Sequence, residues 1–238
     1  MRDLHQYTKD PQKALSFLEA FRTALIRTGV MVAVFSVGGY LAAGPIVRFL
    51  QRLTGVKLVA YGIPETFFAF LTLALGAGLF TSIPYLLYSI LSPLPALFST
   101  FRRKTMFAFW VASILLFYTG AAFCLLVSLP YGVQFLLSYE TRYITALISV
   151  KKFVSFCLLV VFGFGIIFEL PLSMMLLGRI GVVSAAMLSR YRRYAILAIS
   201  IVAAVLTPTP DIFNMALMGI PLYLLFEIGL LGMRLWKQ

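Results

Sequence analysis

Long apolar runs separated by short polar stretches make up most of this chain of 238 residues. A helix that crosses the hydrocarbon core of a bilayer needs about 20 apolar residues, because it rises about 1.5 Å per residue. Runs of roughly this length, two of them shorter, occur six times. They predict an all-α polytopic membrane protein with six transmembrane helices. The predicted spans are residues 28–43, 67–91, 105–129, 153–177, 195–206 and 212–232.

A proline-rich turn separates the last two predicted spans. The segment Thr207-Pro208-Thr209-Pro210-Asp211 cannot continue a helix, because proline lacks a backbone N–H. The chain therefore reverses direction here. The fifth predicted span would rise only about 18 Å, so we expect a short fifth and sixth span relative to the bilayer thickness.

Three amphipathic segments lie outside the predicted spans, within what we interpret as one membrane domain of residues 1–238. The first covers residues 1–27, and Asp10-Pro11 is a typical start for its helix because aspartate caps helices and proline favours the first position. We expect this segment to lie on the cytoplasmic surface and run into the first span. The second follows Pro45, and the third covers residues 134–148. Both are typical of interfacial helices; alternatively, they cover the ends of the spans against one another.

Composition excludes several classes of protein. Apolar residues make up 61% and charged residues 12% of the chain, and the mean hydropathy is +0.97. Soluble domains carry about 25% charged residues, so an ordinary soluble enzyme, a nucleic-acid-binding domain and a disordered chain are excluded. The net charge of +12 therefore indicates contact with anionic membrane lipid, with no nucleic-acid partner.

The distribution of basic residues predicts the orientation in the membrane. Six spans place both termini on one side, and that side carries fourteen of the 20 basic residues. Loops rich in lysine and arginine remain in the cytoplasm, so both termini are predicted to be cytoplasmic. The fourteen are Arg2, Lys9, Lys13, Arg22, Arg27, Arg102, Arg103, Lys104, Arg179, Arg190, Arg192, Arg193, Arg234 and Lys237.

Glu169 is the acid that the sequence places at depth in the membrane. It follows Lys152 by 17 residues, or about 25 Å along a helix. A carboxylate at such depth costs about 3 kcal/mol on insertion scales and normally faces a cavity or a partner. Pro171 leaves the Ile167 carbonyl without its helical hydrogen bond, so we expect a kinked fourth span with a polar notch. The notch is a candidate docking or transport site; alternatively, the carboxyl is neutral and bonds a neighbouring span.

Other polar and helix-breaking residues inside the spans carry less information. Glu227 precedes Arg234 by about two helical turns, and both a structural and a functional role stay open. Pro84 and Pro221 interrupt the second and sixth predicted spans and more often shape helices than mark sites, although broken helices line substrate paths in transporters.

The sequence contains no recognisable catalytic motif. HExxH, GxSxG, a Walker loop and paired membrane aspartates are all missing, and one histidine, His5, leaves little material for acid–base chemistry. Cys124 and Cys157 lie in apolar runs without CxxC spacing and are interpreted as packing residues. The sequence thus predicts no enzymatic activity, no metal site and no cofactor.

Two motifs in the second half of the chain are specific in combination. They are Phe168-Glu169-Leu170-Pro171 in the fourth span and Leu206-Thr207-Pro208-Thr209-Pro210-Asp211 between the last two spans. Together they resemble TatC, the multispanning subunit of the twin-arginine, or Sec-independent, protein translocase. The resemblance runs from Phe17 to Arg234 and is also carried by Pro84–Tyr88, Leu116–Gly120, Tyr191–Tyr194 and Leu225–Gly229.

This resemblance implies a function. TatC proteins receive precursors with a twin-arginine signal peptide and, with single-span partners of the TatA and TatB type, export folded proteins using the proton-motive force. It implies a multi-pass protein of the cell inner membrane that also self-associates. Glu169 and Pro171 match the family's intramembrane partner or transport site, and the residues that match its outer structural elements are Pro45, Pro208, Pro210 and Asp211.

The predicted signal-recognition face departs from the family pattern. The amino-terminal family motif reads approximately HLEELR, and the matching segment Phe17–Arg22 keeps Glu19 and Arg22 but has Ala20 in place of the second acid. A shift of one residue rotates a side chain about 100° around a helix. Glu19 is therefore not an equivalent substitute for an acid at Ala20.

The loop between the second and third spans departs in the same way. The family has a glutamate before two arginines, whereas this chain has Phe101 before Arg102 and Arg103. Guanidinium groups pair best with carboxylates, so we expect weaker discrimination of twin-arginine signals. A divergent scaffold with altered signal recognition is one alternative. A proton-coupled permease that uses Glu169 is another, although the chain has no inverted repeat.

Overall fold

A computed structural model of the protein describes residues 11–92, 103–138, 147–206 and 212–235. These residues are helical over most of their length, as the apolar runs predict. In chain order the elements are α1 (Pro11–Leu41), α2 (Ala43–Thr54), β1 (Leu58–Val59), α3 (Ile63–Leu91), α4 (Arg103–Phe123), a π-helical turn (Cys124–Ser128), α5 (Leu129–Leu137), β2 (Ile148–Ser149), α6 (Val150–Phe168), α7 (Leu170–Ile180), α8 (Ala185–Arg190), α9 (Arg192–Leu206) and α10 (Ile212–Leu235).

The described part of the chain contains five helical stretches that are long and apolar enough to cross a membrane. They coincide with the first four predicted spans and the last one. The predicted fifth span lies within α9, whose 15 residues make it shorter than any of the five. Six spans therefore stay a prediction. The five stretches are Arg22–Leu41, Ile63–Leu91, Lys104–Leu137, Val150–Ile180 and Met218–Leu235.

From Pro11, where the described residues begin, the predicted amphipathic segment and the first span form one continuous helix, α1. This helix packs closely along α3. A Cβ atom built on Gly39 would lie 2.9 Å from the Ala74 carbonyl oxygen, and one built on Gly78 would lie 2.6 Å from the Val32 carbonyl oxygen. Small residues that let two backbones approach are typical of helix packing in membranes.

Helix α2 covers the ends of α3 and α6. Pro45 lies in its first turn, where proline is tolerated because the N–H groups there have no acceptor within the helix. Val47 is buried in a cluster with residues of α3 and α6, whereas Phe49 of the predicted apolar stripe is 51% exposed. The helix ends at Gly55, whose φ of 72° is in the left-handed region and favours glycine.

Two short strands depart from the all-α prediction. β1 and β2 pair in parallel, with Leu58 opposite Ile148. Glu65, in the first turn of α3, supports this pairing because its carboxylate accepts hydrogen bonds from the Tyr61 backbone N–H (2.6 Å) and the Ser149 hydroxyl. The strand pair thereby ties the segment before α3 to the start of α6.

The third helical stretch is longer than predicted. The sequence predicts an end at residue 129, but the helix continues through the π-helical turn and α5 to Leu137. In the π-helical turn the Leu129 N–H donates to the Cys124 carbonyl, five residues back. This wider turn inserts an extra residue before Pro130, and the helix continues beyond the proline. Of the third predicted amphipathic segment, residues 139–146 lie outside the described residues.

Pro84 lies inside α3 without ending it, contrary to the predicted interruption. Its missing N–H leaves the Phe80 carbonyl without a helical donor. The Tyr118 hydroxyl of α4 donates to that carbonyl oxygen at 3.0 Å, and the Trp110 indole Nε1–H donates to the Pro84 carbonyl oxygen at 2.8 Å. The Tyr118 hydroxyl of α4 therefore replaces the donor that Pro84 lacks. Pro221 likewise lies inside a continuous α10.

The central helix of the bundle is α6, which packs between α3 and α4. It begins at Ser149, whose side chain accepts the Lys152 backbone N–H at 3.2 Å and so caps the helix. Its contact with α4 uses a glycine, because a Cβ atom on Gly120 would lie 2.7 Å from the Phe164 carbonyl oxygen. This close contact brings the polar positions of α4 next to the junction between α6 and α7.

Candidate functional site

The polar notch predicted in the fourth span lies at the junction between α6 and α7. Glu169 separates these two helices, and its backbone N–H donates to the carbonyl oxygens of Ile166, at 3.1 Å, and of Ile167. Pro171 has no N–H to donate to the Ile167 carbonyl, which therefore lacks its helical hydrogen bond and is approached by the Glu169 N–H instead. The charged group of the notch is the Glu169 carboxyl.

Only half of the Glu169 carboxyl has a hydrogen-bond partner among the residues that the structure describes. The Ser113 hydroxyl of α4 donates to Oε2 at 2.7 Å. The other oxygen, Oε1, is buried and has no partner there. Ser113 is 3% exposed and was not predicted as a site residue. The available signal was a hydroxyl within an otherwise apolar run of the third span.

Aromatic and proline packing holds the backbone around Glu169. Phe168, directly before it, is buried against the Phe123 ring of α4, with the ring centroids 5.8 Å apart. Pro171 is buried as well, and a Cβ atom on Gly229 of α10 would lie 2.9 Å from the Pro171 Cα. Helices α4, α6, α7 and α10 thus meet around this acid.

Methionine–glycine contacts form part of the α7–α10 contact. A Cβ atom on Gly232 would lie 2.7 Å from the Met175 sulfur, and one on Gly178 would lie 2.6 Å from the Met233 Cε. Flexible thioether side chains fill irregular spaces well.

A second acid, Glu227 of α10, is paired within the chain. Its Oε2 accepts a hydrogen bond from Arg192 Nη2 of α9 at 2.9 Å, and its Oε1 accepts one from the Tyr223 hydroxyl at 2.9 Å. Of the two roles left open by the sequence, this pairing favours the structural one, because it joins α9 to α10. Arg192 Nε is buried and has no hydrogen-bond partner among the described residues.

The predicted signal-recognition residues lie at the starts of α1 and α4. Glu19 and Arg22 belong to α1, and the Arg22 side chain is exposed. Arg103 begins α4. Arg102 lies outside the described residues, as do the predicted outer-hairpin residues Pro208, Pro210 and Asp211.

Comparison with known proteins identifies close similarities over most of the chain. Residues 16–221 match the family described as Sec-independent protein translocase protein (TatC). A TatC protein of Desulforapulum autotrophicum is 32% identical over 234 residues, which cover 93% of this chain and 84% of that protein. A TatC protein of Haemophilus influenzae is 29% identical over 237 residues, covering 96% and 91%.

A solved structure is also similar in fold. The crystal structure of the twin-arginine translocase receptor TatC in DDM superimposes with a TM-score of 0.78 at 29% sequence identity. The match covers 90% of this chain and 98% of that chain. Sequence and fold therefore agree over the helices that surround Glu169.

Proposed function

The chain belongs to the TatC family of Sec-independent protein translocase proteins, and from this premise we propose that it is the receptor and core subunit of a twin-arginine translocase. It binds twin-arginine signal peptides, assembles with single-span partners of the TatA and TatB type, and exports folded proteins using the proton-motive force. Family membership and five long apolar helices identify an integral membrane component of protein transport rather than an enzyme.

The half-bonded carboxyl of Glu169 is the observation that carries this proposal. A buried polar atom without a partner is costly, and more so in a membrane, where water does not replace the missing hydrogen bond. Ser113 holds one oxygen, and the packing of Pro171 against Gly229 restrains the backbone. The remaining oxygen is covered in this structure, and it accepts a hydrogen bond from a second molecule, either a signal peptide or a single-span partner, once binding uncovers it.

We propose that residues 1–238 form one membrane domain with six spans, in which α9 is the short fifth span. Fifteen residues rise about 22 Å, less than the bilayer core, so the bilayer thins at α9. The 24 residues of α10 rise about 36 Å, so the sixth span is not short. The excess of basic residues on one side supports cytoplasmic termini in the cell inner membrane. A kink at Glu169 and a structural role for Pro45, Pro208, Pro210 and Asp211 complete this arrangement.

The residues that bind the signal peptide are Glu19 and Arg22 of α1, together with Arg102 and Arg103. Glu19 is the carboxylate there that can pair with a guanidinium group. The family has acids where this chain has Ala20 and Phe101. Their absence favours a second candidate function, a scaffold that assembles other translocase subunits without binding the signal peptide.

Binding of a signal peptide to the full chain in nanodiscs separates these functions. We expect the Arg-Arg peptide to bind more tightly than its Lys-Lys counterpart, and Glu19→Ala to abolish the difference. Glu140→Ala, which removes an acid on the side predicted to lie outside, serves as the control and is expected to keep it. Equal binding of both peptides by the unmodified chain would contradict the receptor role and leave the scaffold.

Export in cells tests the role of Glu169 separately. In Glu169→Gln the amide can still bond Ser113, but it presents an N–H₂ donor where Oε1 was an acceptor. We expect export of a folded twin-arginine substrate to fall at least tenfold while the protein level is unchanged. Full export by Glu169→Gln would show that no ligand donates to Oε1.

A further inference from the structure

Three aromatic side chains, here called the aromatic cluster, gather where α3 ends and α4 begins, on the side proposed to be cytoplasmic. Trp110 of α4 lies against Tyr88 of α3, with the ring centroids 5.8 Å apart, and against Phe107 of α4, with the centroids 5.6 Å apart. The Tyr88 and Phe107 side chains are 52% and 63% exposed. The aromatic cluster is therefore open to a second molecule at the inner surface of the membrane.

The ring planes of the aromatic cluster are not parallel, so the rings do not cover one another's faces. The Trp110 ring meets the Tyr88 ring at 75° and the Phe107 ring at 49°. The indole N–H of Trp110 donates to the Pro84 carbonyl oxygen at 2.8 Å, and this hydrogen bond fixes the central ring. Because the central ring is fixed and its neighbours are inclined to it, aromatic faces stay uncovered beside it.

The chain provides no acid at this end of α3 and α4. The sequence contains no aspartate or glutamate between Glu65 and Glu140, and Lys104 at the start of α4 is exposed. The inner ends of the two helices and the loop between them therefore offer no carboxylate to an incoming arginine. The face of an aromatic ring is the group left there that attracts a cation, because the π-electrons make it negative.

We propose that the aromatic cluster stacks on the guanidinium group of one arginine of the twin-arginine signal and so distinguishes arginine from lysine. This inference rests on the receptor function proposed above. A guanidinium group is planar and weakly hydrated and stacks on aromatic rings, whereas the lysine ammonium is a compact, strongly hydrated charge. Glu19 holds the neighbouring arginine of the signal and thereby brings this one to the rings, so the preference for arginine requires both sites.

Binding of the Arg-Arg and Lys-Lys peptides to the full chain in nanodiscs tests the stacking. We expect Trp110→Leu to lower the ratio of the two affinities about fourfold, the effect of one exposed cation–π contact. Trp110→Phe lacks the hydrogen bond to Pro84 but keeps a ring face, and we expect it to retain most of the ratio. Tyr88→Leu keeps that hydrogen bond and should lower the ratio about twofold. Tyr131→Leu, at a ring that is 57% exposed on the side proposed to lie outside, is the matched control and keeps the ratio.

The outcomes separate this inference from the receptor function. Equal binding of both peptides by the unmodified chain would overturn both. A preference for Arg-Arg that survives Trp110→Leu in full would overturn the stacking alone and leave the preference to Glu19. Equal weakening of both peptides by Trp110→Leu would also overturn the stacking, because the rings would then contact the apolar part of the signal. A loss in Trp110→Phe as large as that in Trp110→Leu would do the same, since the hydrogen bond to Pro84 would then be what matters.

Discussion

Replacement of Tyr118 by phenylalanine removes one hydroxyl group and keeps an aromatic ring of nearly the same shape. That hydroxyl donates to the Phe80 carbonyl oxygen at 3.0 Å, which has no helical donor because Pro84 lacks an N–H. The Tyr118 ring also packs edge-on against the Phe80 ring, with the centroids 5.0 Å apart. Tyr118→Phe therefore keeps the packing and leaves one carbonyl unpaired.

The size of the effect follows from this geometry. An unpaired polar group in apolar surroundings costs about 1–3 kcal/mol, and hydrogen bonds between membrane helices contribute about 0.6 kcal/mol on average, with a maximum near 1.7 kcal/mol. Because Tyr118 is half-buried, we expect Tyr118→Phe to lower the free energy of unfolding by about 1 kcal/mol. In the Pro84→Ala background, alanine supplies the missing N–H, and the loss should be below about 0.5 kcal/mol.

Unfolding in mixed micelles with increasing SDS, followed by far-ultraviolet circular dichroism, measures these free energies for the four proteins of the cycle. Tyr131→Phe is the control, because the Tyr131 ring is 57% exposed, and we expect no change in stability from it. Equal losses for Tyr118→Phe in the two backgrounds would refute the reasoning, since the hydroxyl would then not serve the carbonyl that Pro84 leaves unpaired.

Two further predictions concern helix packing and the strand pair. A side chain at Gly78 would clash with the Val32 carbonyl of α1, so we expect Gly78→Leu to lower the free energy of unfolding by about 1–3 kcal/mol in the same assay. Gly38→Leu is the control, because a Cβ atom there meets no atom within 4 Å, and we expect no loss from it. Similar losses for the two variants would contradict the close α1–α3 contact. Glu65→Gln should speed amide hydrogen exchange in β1, because the neutral amide is a weaker acceptor for the Tyr61 N–H, while exchange in α10 stays unchanged; unaltered exchange in β1 would show that Glu65 does not support the pairing.

Proline positions show where sequence patterns mislead in this protein. Pro84 and Pro221 interrupt the apolar runs of predicted spans, and the third predicted span stops just before Pro130, yet the helices continue through all three. At Pro84 the missing donor is supplied by Tyr118 of another helix, and at Pro130 a π-helical turn accommodates the ring. The sequence around each proline predicts neither of these features. The hydrogen bond from Tyr118 depends on which helix lies beside α3, and the π-helical turn depends on a change of hydrogen-bond register.

The candidate site around Glu169 also combines features that the sequence predicts with contacts that it does not. The depth of Glu169 and the break at Pro171 follow from counting residues along an apolar run, and the structure has the break there. Ser113 is 56 positions away along the chain from Glu169, and no periodicity links them. The partner of Glu227 likewise lies 35 positions earlier, at Arg192, although both residues belong to segments that carry the family resemblance.

The sequence alone determined that this chain is a helical membrane protein, where its long helices lie and which family it resembles. The helices follow from the sequence because the free energy of transferring a segment into lipid is a sum over consecutive residues. The tertiary structure decided which polar groups are paired: one Glu169 oxygen bonds Ser113 and Glu227 bonds Arg192, whereas the other Glu169 oxygen and Arg192 Nε have no partner among the described residues. Hydrogen bonds between helices depend on which faces meet and at what height, and that is set by the packing of small residues such as Gly120 and Gly229.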